Sequence, residues 1–501
     1  MEKAGFFNVA SELLEENASV RGDKVAILCG EERVTYKELL ENVNRFANIL
    51  EGLKVPPAQR VLIALPDSPF WLYAFLGSIK YGAWPVPVNT MLKEEDYRYM
   101  LEDSEARVLV TTKDHKSAGV KMVPFHYTLL ADNGIDSLMS HVPPQAKAYP
   151  AHKDDIAFWL YSSGSTGRPK GIPHRHVDMI HSADNYAKKV IGMEERDVCF
   201  SVSKLFFAYG LGNGLAFPLR CGASVVQLSA PPSPGAVVAT VARYRPTLFF
   251  GVPTQYNSVL KRPETDEAFA SVRMCMSAGE ALPPEIFNKW RALTGLEILD
   301  GIGSTEALHI FISNRAGGVR PGTSGCVVPG YEAKIVDENG VEVPPGEPGN
   351  LIIRGESVTR GYWNRPEENA EKILPGGWFK TGDVYARKDG YFSYAGRGDD
   401  MLKVGGIWVS PVEIENVLME HEAVNEAAVV GREVEGLVKP FGYVTLNEGF
   451  KEQDRDWEPG EELIQFVSRR LPRFKWLREV QVLDELPKTS TGKIQRFKLR
   501  A

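Results

Sequence analysis

The sequence predicts an α/β protein: a large N-terminal domain of parallel or mixed sheets covered by helices plus a small β unit, then a smaller α+β C-terminal domain. Three observations carry this. Short, solidly apolar runs alternate with segments of helical period as far as residue 301, the pattern of parallel strands covered on both faces. Past Gly325 the texture turns to polar–apolar alternation with turn signals. Near AGRGDD (395–400) it changes again, which sets the domains at 1–398 and 399–501. A chain of 501 residues is also too long for one core, since domains run to roughly 100–200 residues.

In chain order, Thr35-Tyr36-Lys37-Glu38 has the form of a helix capping box. Leu39, Leu40, Val43, Phe46, Ala47 and Leu50 follow at helical spacing up to Gly52. VLIAL (61–65) reads as a buried strand, 69–81 as a helix stopped by Gly82, 93–102 as a helix and RVLVT (107–111) as a strand. VCFSV, SVVQL, TLFFGV, VRMCMSA and EILDG, between residues 198 and 301, are further strands with helical stretches between most of them. YEAKIVDENGVEV and GNLIIRG, with the turn Glu338-Asn339-Gly340, predict a small antiparallel unit. The last hundred residues predict helices at PVEIENVLMEH and GEELIQFVSRRL and strands at NEAAVVG and FGYVTL.

Composition narrows the function. With 43% hydrophobic and 25% charged residues the chain is an ordinary globular one. A net charge of −7 argues against nucleic acid as a partner. Cys29, Cys199, Cys221, Cys275 and Cys326 are scattered, with no CxxC pair, which fits a reducing compartment and not a disulfide framework or zinc site. The start lacks a signal-peptide core, and FWLYAFLGSI (70–79) is too short for a bilayer, which needs roughly 20 apolar residues. The expectation is a cytoplasmic protein, monomer or homodimer, with no membrane partner.

The most informative stretch is YSSGSTGRPKGIPH (161–174), directly after the apolar run IAFWLY. Gly164, Gly167 and Gly171 let the backbone curl around a phosphate; Ser162, Ser163, Ser165 and Thr166 offer hydroxyls; Lys170 supplies a positive charge. A Walker loop would require Ser or Thr after the lysine, and here Gly171 follows. The whole string resembles the phosphate-binding loop of the adenylate-forming superfamily: acyl-CoA synthetases, luciferases and nonribosomal adenylation domains. The resemblance covers about residues 6–499.

Several further segments fall in the order this resemblance implies. DGIGSTE (300–306) is similar to the adenine and magnesium segment. By position Asp300 would meet the adenine amino group, with Gly301 and Ile302 alongside, Thr305 the α-phosphate, and Glu306 with Thr166 the Mg²⁺, a hard cation that takes carboxylate oxygen. Ile302 departs from the family, where an aromatic residue usually stacks on adenine. SAGEALP (277–283) places Gly279 and Glu280 beside the base; WFKTGD (378–383) gives Asp383 for the ribose, with Arg397 as its second partner. PKTSTGKI (487–494) resembles the C-terminal lysine loop, with Lys493 catalytic. A cation is wanted there because a carboxylate must attack the α-phosphorus of ATP and both are anionic.

The resemblance also implies a mobile C-terminal domain that pivots at Asp399 between two half-reactions. Gly405, Gly406 and Trp408 would then line the pantetheine tunnel, with Lys403 assisting the second step. The basic run RRLPRFKWLR (469–478) either attracts the phosphates of coenzyme A or is a solvated helix end. KLFFAYGLGNGL (204–215) and GIGSTEALHIFISN (301–314) resemble the benzoate-CoA ligase branch. Ala208, Tyr209, Gly210, Ala278, Gly303, Leu308 and His309 would form an acyl pocket for one flat ring. His309 is either a neighbour of the carboxylate or a satisfied core histidine.

The expected activity is an ATP-dependent, AMP-forming acid–CoA ligase. Its partners are a small ring acid (benzoate, a hydroxy- or aminobenzoate, or an alicyclic acid), ATP, Mg²⁺ and coenzyme A. Two rivals are an acyl-AMP ligase loading a carrier-protein phosphopantetheine and a catalytically silent nucleotide sensor. The joint presence of Glu306, Asp383, Arg397 and Lys493 weighs against the sensor.

Overall fold

The structure is a computed structural model that describes residues 6–113, 127–132, 134–162, 168–404, 407–434, 437–451, 458–488 and 494–500. The predicted local signals become real caps. Thr35 accepts the Glu38 N–H at 3.2 Å and Glu38 accepts the Thr35 N–H at 2.8 Å, opening the helix Tyr36–Gly52. The helix Pro69–Tyr81 starts at the Ser68 cap and ends where Gly82 turns left-handed at φ 94°. It is buried almost all round, which explains why its sequence is apolar on every face.

The large domain holds two main sheets. Nine strands run in the order Cys326–Val327, Ile310–Ser313, Ile298–Gly303, Met274–Ser277, Leu248–Gly251, Val198–Ser201, Ser224–Gln227, Val25–Cys29, Glu32–Thr35. The six central strands are parallel and the outer pairings antiparallel, so the sheet is mixed, as expected. A second sheet, Trp84–Pro87, Arg60–Ala64, Val108–Thr111, Tyr127–Leu130, is all parallel. The predicted β unit is a five-stranded antiparallel sheet that includes Tyr331–Val336, Pro348–Gly355, Trp378–Lys388 and Tyr391–Arg397.

The smaller C-terminal domain pairs Val424–Val434 with Leu437–Leu446 and adds Glu479–Val482 in parallel, an edge strand absent from the sequence reading. Asn257, on the helix Pro253–Val259 of the large domain, reaches across to Asn425 Oδ1 at 3.2 Å. Two π-helical segments, Ala183–Ile191 and Gly212–Ala216, also went unforeseen. Among the described residues no helix is long and apolar enough to cross a membrane.

Candidate active site

The site gathers at the carboxyl ends of the parallel strands, where open α/β sheets place their ligands. Ser277, at the end of Met274–Ser277, sits opposite Asp300 in Ile298–Gly303, the last parallel pair of these two strands. Asp300 is buried, and its Oδ1 has no hydrogen-bond partner among the described residues. Burial pushes this carboxyl well above the usual carboxylate range, against the opposing pull of the Ser277 hydroxyl and the Leu282 and Gly301 amides. Ser277 Oγ is itself left without a hydrogen bond of good geometry. Gly279 follows with φ 94°, a left-handed turn that carries the chain away from the strand end. Glu280 comes next, half-buried.

Beyond Asp300, Gly301, Ile302 and Gly303 complete the strand. A Cβ on Gly303 would lie 2.7 Å from the carbonyl carbon and oxygen of His309, so only glycine allows the return strand this close. The intervening turn is pinned at three successive carbonyls. His174 Nε2 donates to Thr305 O at 2.8 Å, the Thr359 N–H to Glu306 O at 2.7 Å, and Ser357 Oγ to Ala307 O at 2.8 Å. Leu308 then takes a left-handed φ of 67°, a conformation costly for a branched side chain. The anchors hold Glu306 in place, and the Tyr362 hydroxyl donates to its Oε1 at 2.9 Å.

The phosphate-loop candidate is flanked by two antiparallel strands, Ile156–Ser162 and Lys170–Arg175, in which Ser162 pairs with Lys170. Ser163, Gly164, Ser165, Thr166 and Gly167 lie outside the described residues. Lys170 Nζ lies 5.2 Å from the centre of the Tyr362 ring and 3.7 Å from Glu368. Since Tyr362 also holds Glu306, one tyrosine links the loop lysine to the acid of the pinned turn.

Asp383 and Arg397 are direct partners across adjacent strands, joined at 2.9 Å. Burial of Arg397 opposes its charge, and the Asp383 carboxylate more than offsets this, so the guanidinium is held charged. Asp399 lies in the turn that follows, its carbonyl accepting from Arg500 at 2.8 Å. Lys403 and Trp408 face each other on a two-stranded ribbon, the ammonium 5.4 Å from the ring centre. Both are exposed. Gly405, Gly406 and Lys493 lie outside the described residues. Lys488 and Ile494, on either side of Lys493 in sequence, form an isolated antiparallel bridge.

Ala208, Tyr209 and Gly210 form the short helix Ala208–Leu211, with Ala278 buried near the strand ends. His309 is 2% exposed, its ring 5.4 Å from Tyr209, 5.4 Å from Tyr186 and 4.4 Å from Phe217. Burial lowers its pKa to about 3, so it is neutral. Its Nε2 faces Tyr209 O at 3.3 Å and its Nδ1 has no partner among the described residues. Around it the hydroxyls of Tyr186 and Tyr209 and both amide atoms of Asn213 are likewise buried and without a partner among the described residues. Unmet polar groups of this kind, inside an aromatic lining, can orient a ligand's polar end.

Sequence reasoning missed His174, Tyr362, Asn213 and Tyr186 as site residues. His174 was in plain view as the last residue of the loop string, four before Asp178, which it meets at 3.2 Å.

The orphaned Asp300 oxygen suits a buried amino donor such as that of adenine. For Mg²⁺ the donor set is spare: among the described residues no three His, Cys, Asp or Glu side chains cluster. A single carboxylate, Glu306, fits an ion whose remaining ligands are nucleotide phosphates and water.

Comparison with known proteins agrees with this geometry. Residues 14–363 match the family described as AMP-binding enzyme, and residues 413–493 its C-terminal domain. The chain is 46% identical to a benzoate–CoA ligase of Thauera aromatica, covering 99% of this chain and 96% of that one. It is 38% identical to a 4-hydroxybenzoate–CoA/benzoate–CoA ligase of Rhodopseudomonas palustris, over 99% and 94%. A crystal structure of a benzoate CoA ligase from Burkholderia xenovorans LB400 superposes with a TM-score of 0.90 at 44% identity, over 99% and 100%. With both parts of the family matched in order, and relatives aligned from end to end, the chain belongs to the adenylate-forming AMP-binding enzymes, in the branch that contains these benzoate–CoA ligases.

Proposed function

We propose that this protein is an AMP-forming ligase that activates benzoate, or a close aromatic relative, first as acyl-AMP and then as the coenzyme A thioester. ATP, the acid and coenzyme A are its substrates. The observation that carries the reading is the pairing of a buried, unpartnered carboxyl oxygen on Asp300 with a rigidly anchored Thr305–Glu306 turn directly beyond it. The first is a receptor for adenine, and the second a fixed support for the charged phosphates.

Each residue then has a task. Asp300 accepts the adenine amino group, and Asp383 with Arg397 holds the ribose. Ser162, Lys170 and the loop 163–167 surround the β- and γ-phosphates. Mg²⁺ held by Glu306 and Thr166 would neutralise charge on those phosphates. The acid's ring lies among Ala208, Tyr209, Gly210, Ala278, Gly303, Leu308 and His309, where a neutral imidazole in an apolar cage can orient a carboxylate without trapping it as an ion pair. Lys493 then offsets the repulsion between that carboxylate and the α-phosphate in the transition state. We place the domain boundary between residues 398 and 399 and assign Asp399 as the hinge. Pivoting there exchanges Lys493 for the ribbon of Lys403, Gly405, Gly406 and Trp408.

The test is a panel of ring acids read by pyrophosphate release, followed by AMP release with free coenzyme A. Lys493→Ala should lower acyl-AMP formation at least about a hundredfold and leave thioester formation from supplied acyl-AMP intact. Equal loss of both steps removes Lys493 from its role, and silence of the wild type across the panel removes the ligase reading.

A further inference from the structure

The two feet of the phosphate-loop hairpin are gripped from outside by residues that no step above uses. On the entering strand, the Tyr161 hydroxyl donates to Asp103 Oδ2 at 2.9 Å. On the leaving side, the Tyr99 hydroxyl donates to Pro169 O at 2.9 Å, and the Arg168 guanidinium lies 5.2 Å from the centre of the Tyr99 ring. Tyr99 and Asp103 lie on the helix Glu94–Ser104, four residues apart and so on one face.

Arg365 closes the arrangement. Its Nη2 donates to Tyr99 Oη at 2.6 Å and to Asp103 Oδ1 at 2.8 Å. The result is an unbroken path of bonds: Tyr161 to Asp103, Arg365 to Asp103 and to Tyr99, Tyr99 to Pro169. The Asp103 side chain is 8% exposed, so the network is mostly shielded from water, where charge-assisted bonds are strongest. The segment after Gly361 touches the hairpin twice more: the Trp363 N–H donates to Gly171 O at 2.9 Å, and Glu368 faces Lys170.

On the ligase reading above, Ser162 and Lys170, paired across the feet, meet the outer phosphates of ATP. Side chains held in place before the ligand arrives lose less freedom on binding it, and small misplacements of groups that hold a reactant cost rate steeply. We propose that Asp103, by holding Tyr161 and Arg365 together, is a positioning residue for the β- and γ-phosphates of ATP.

AMP lacks those phosphates, and this makes the test selective. In the full-length enzyme, Asp103→Asn should raise KM for ATP about tenfold and Tyr161→Phe about threefold. The dissociation constant for AMP, KM for the acid and thioester formation from supplied acyl-AMP should stay within about twofold of wild type. Tyr161→Phe removes a single oxygen and serves if Asp103→Asn fails to fold. An unchanged KM for ATP, or equal weakening of ATP and AMP, overturns the proposal while leaving the ligase reading standing. Absence of acyl-AMP formation by the wild type overturns both.

Discussion

Asp300 offers a change of nucleotide preference that follows from the geometry of a single side chain. Three donors face its carboxyl: the Ser277 hydroxyl and the backbone N–H groups of Leu282 and Gly301. In Asp300→Asn those donors draw the amide oxygen toward themselves, so the amide NH₂ takes the place of the unpartnered Oδ1. An acceptor then becomes a donor where the 6-position of the purine is expected. Adenine offers N–H donors there and hypoxanthine offers a carbonyl acceptor. Leaving the buried adenine N–H unpaired costs about 1–3 kcal/mol, so AMP should bind about 10- to 100-fold more weakly while IMP gains relative to it by a similar factor. The free protein should respond in the opposite sense. Because burial raises the Asp300 pKa, the unfolded chain releases this proton first as pH rises. Stability is therefore lost as pH climbs from the ordinary carboxylate range toward the folded-state value. Asp300→Asn removes that cost and should be the more stable protein at neutral pH, by about 1–3 kcal/mol. Calorimetric titration with AMP and IMP, alongside denaturant unfolding, reads both effects. Parallel loss of AMP and IMP, or no loss of AMP, would refute the assignment of Asp300 to the purine amino group.

Two further outcomes follow from the acyl side. His309, lowered from 6.5 to about 3 by burial, stays neutral in the fold while the unfolded chain takes up a proton below pH 6.5. Stability should fall as pH drops from 6.5 toward about 3, and denaturant unfolding of His309→Asn should show a flatter acid limb. Part of the slope will persist, because buried His176, lowered to about 4, acts with the same sign. Gly303→Ala places a Cβ against the His309 backbone. It should destabilise the protein by about 1–3 kcal/mol and raise KM for the acid more than KM for ATP. A kinetically silent Gly303→Ala would show that this strand contact does not shape the acyl pocket.

What the sequence made legible was chiefly what local backbone chemistry writes down. The Thr35 cap, the Gly82 stop and the short parallel strands are decided by neighbouring residues, and they appear where expected. The segments 161–174, 277–283 and 300–306 were legible for a different reason: each carries residue types at fixed offsets that resemble a known family's motifs. Periodicity tells which face is buried but not what lies against it. Nothing around His174 shows that its ring will meet the Thr305 carbonyl 131 residues away, or that Tyr362 will meet Glu306. The orphaned groups of Tyr186, Tyr209 and Asn213 are also invisible in sequence, because an unmet hydrogen bond is a property of the assembled interior. So are the π-helical segments, whose wider turns leave no period of their own over five to nine residues.

Ile302 shows how a departure noticed in sequence gains meaning once the strand is placed. It lies two residues from Asp300 on Ile298–Gly303, hence on the same face, and is half-buried. An aliphatic side chain there can cover the purine by apolar contact but lacks the π-face that an aromatic residue would stack against it. On the proposed assignment, recognition of the base then rests more heavily on the hydrogen bond at Asp300. The preference switch in Asp300→Asn should accordingly shrink when Ile302 is replaced by tyrosine, since a stacked ring holds either purine without reading its 6-position. A switch of equal size in both backgrounds would separate the two residues and place Ile302 off the base.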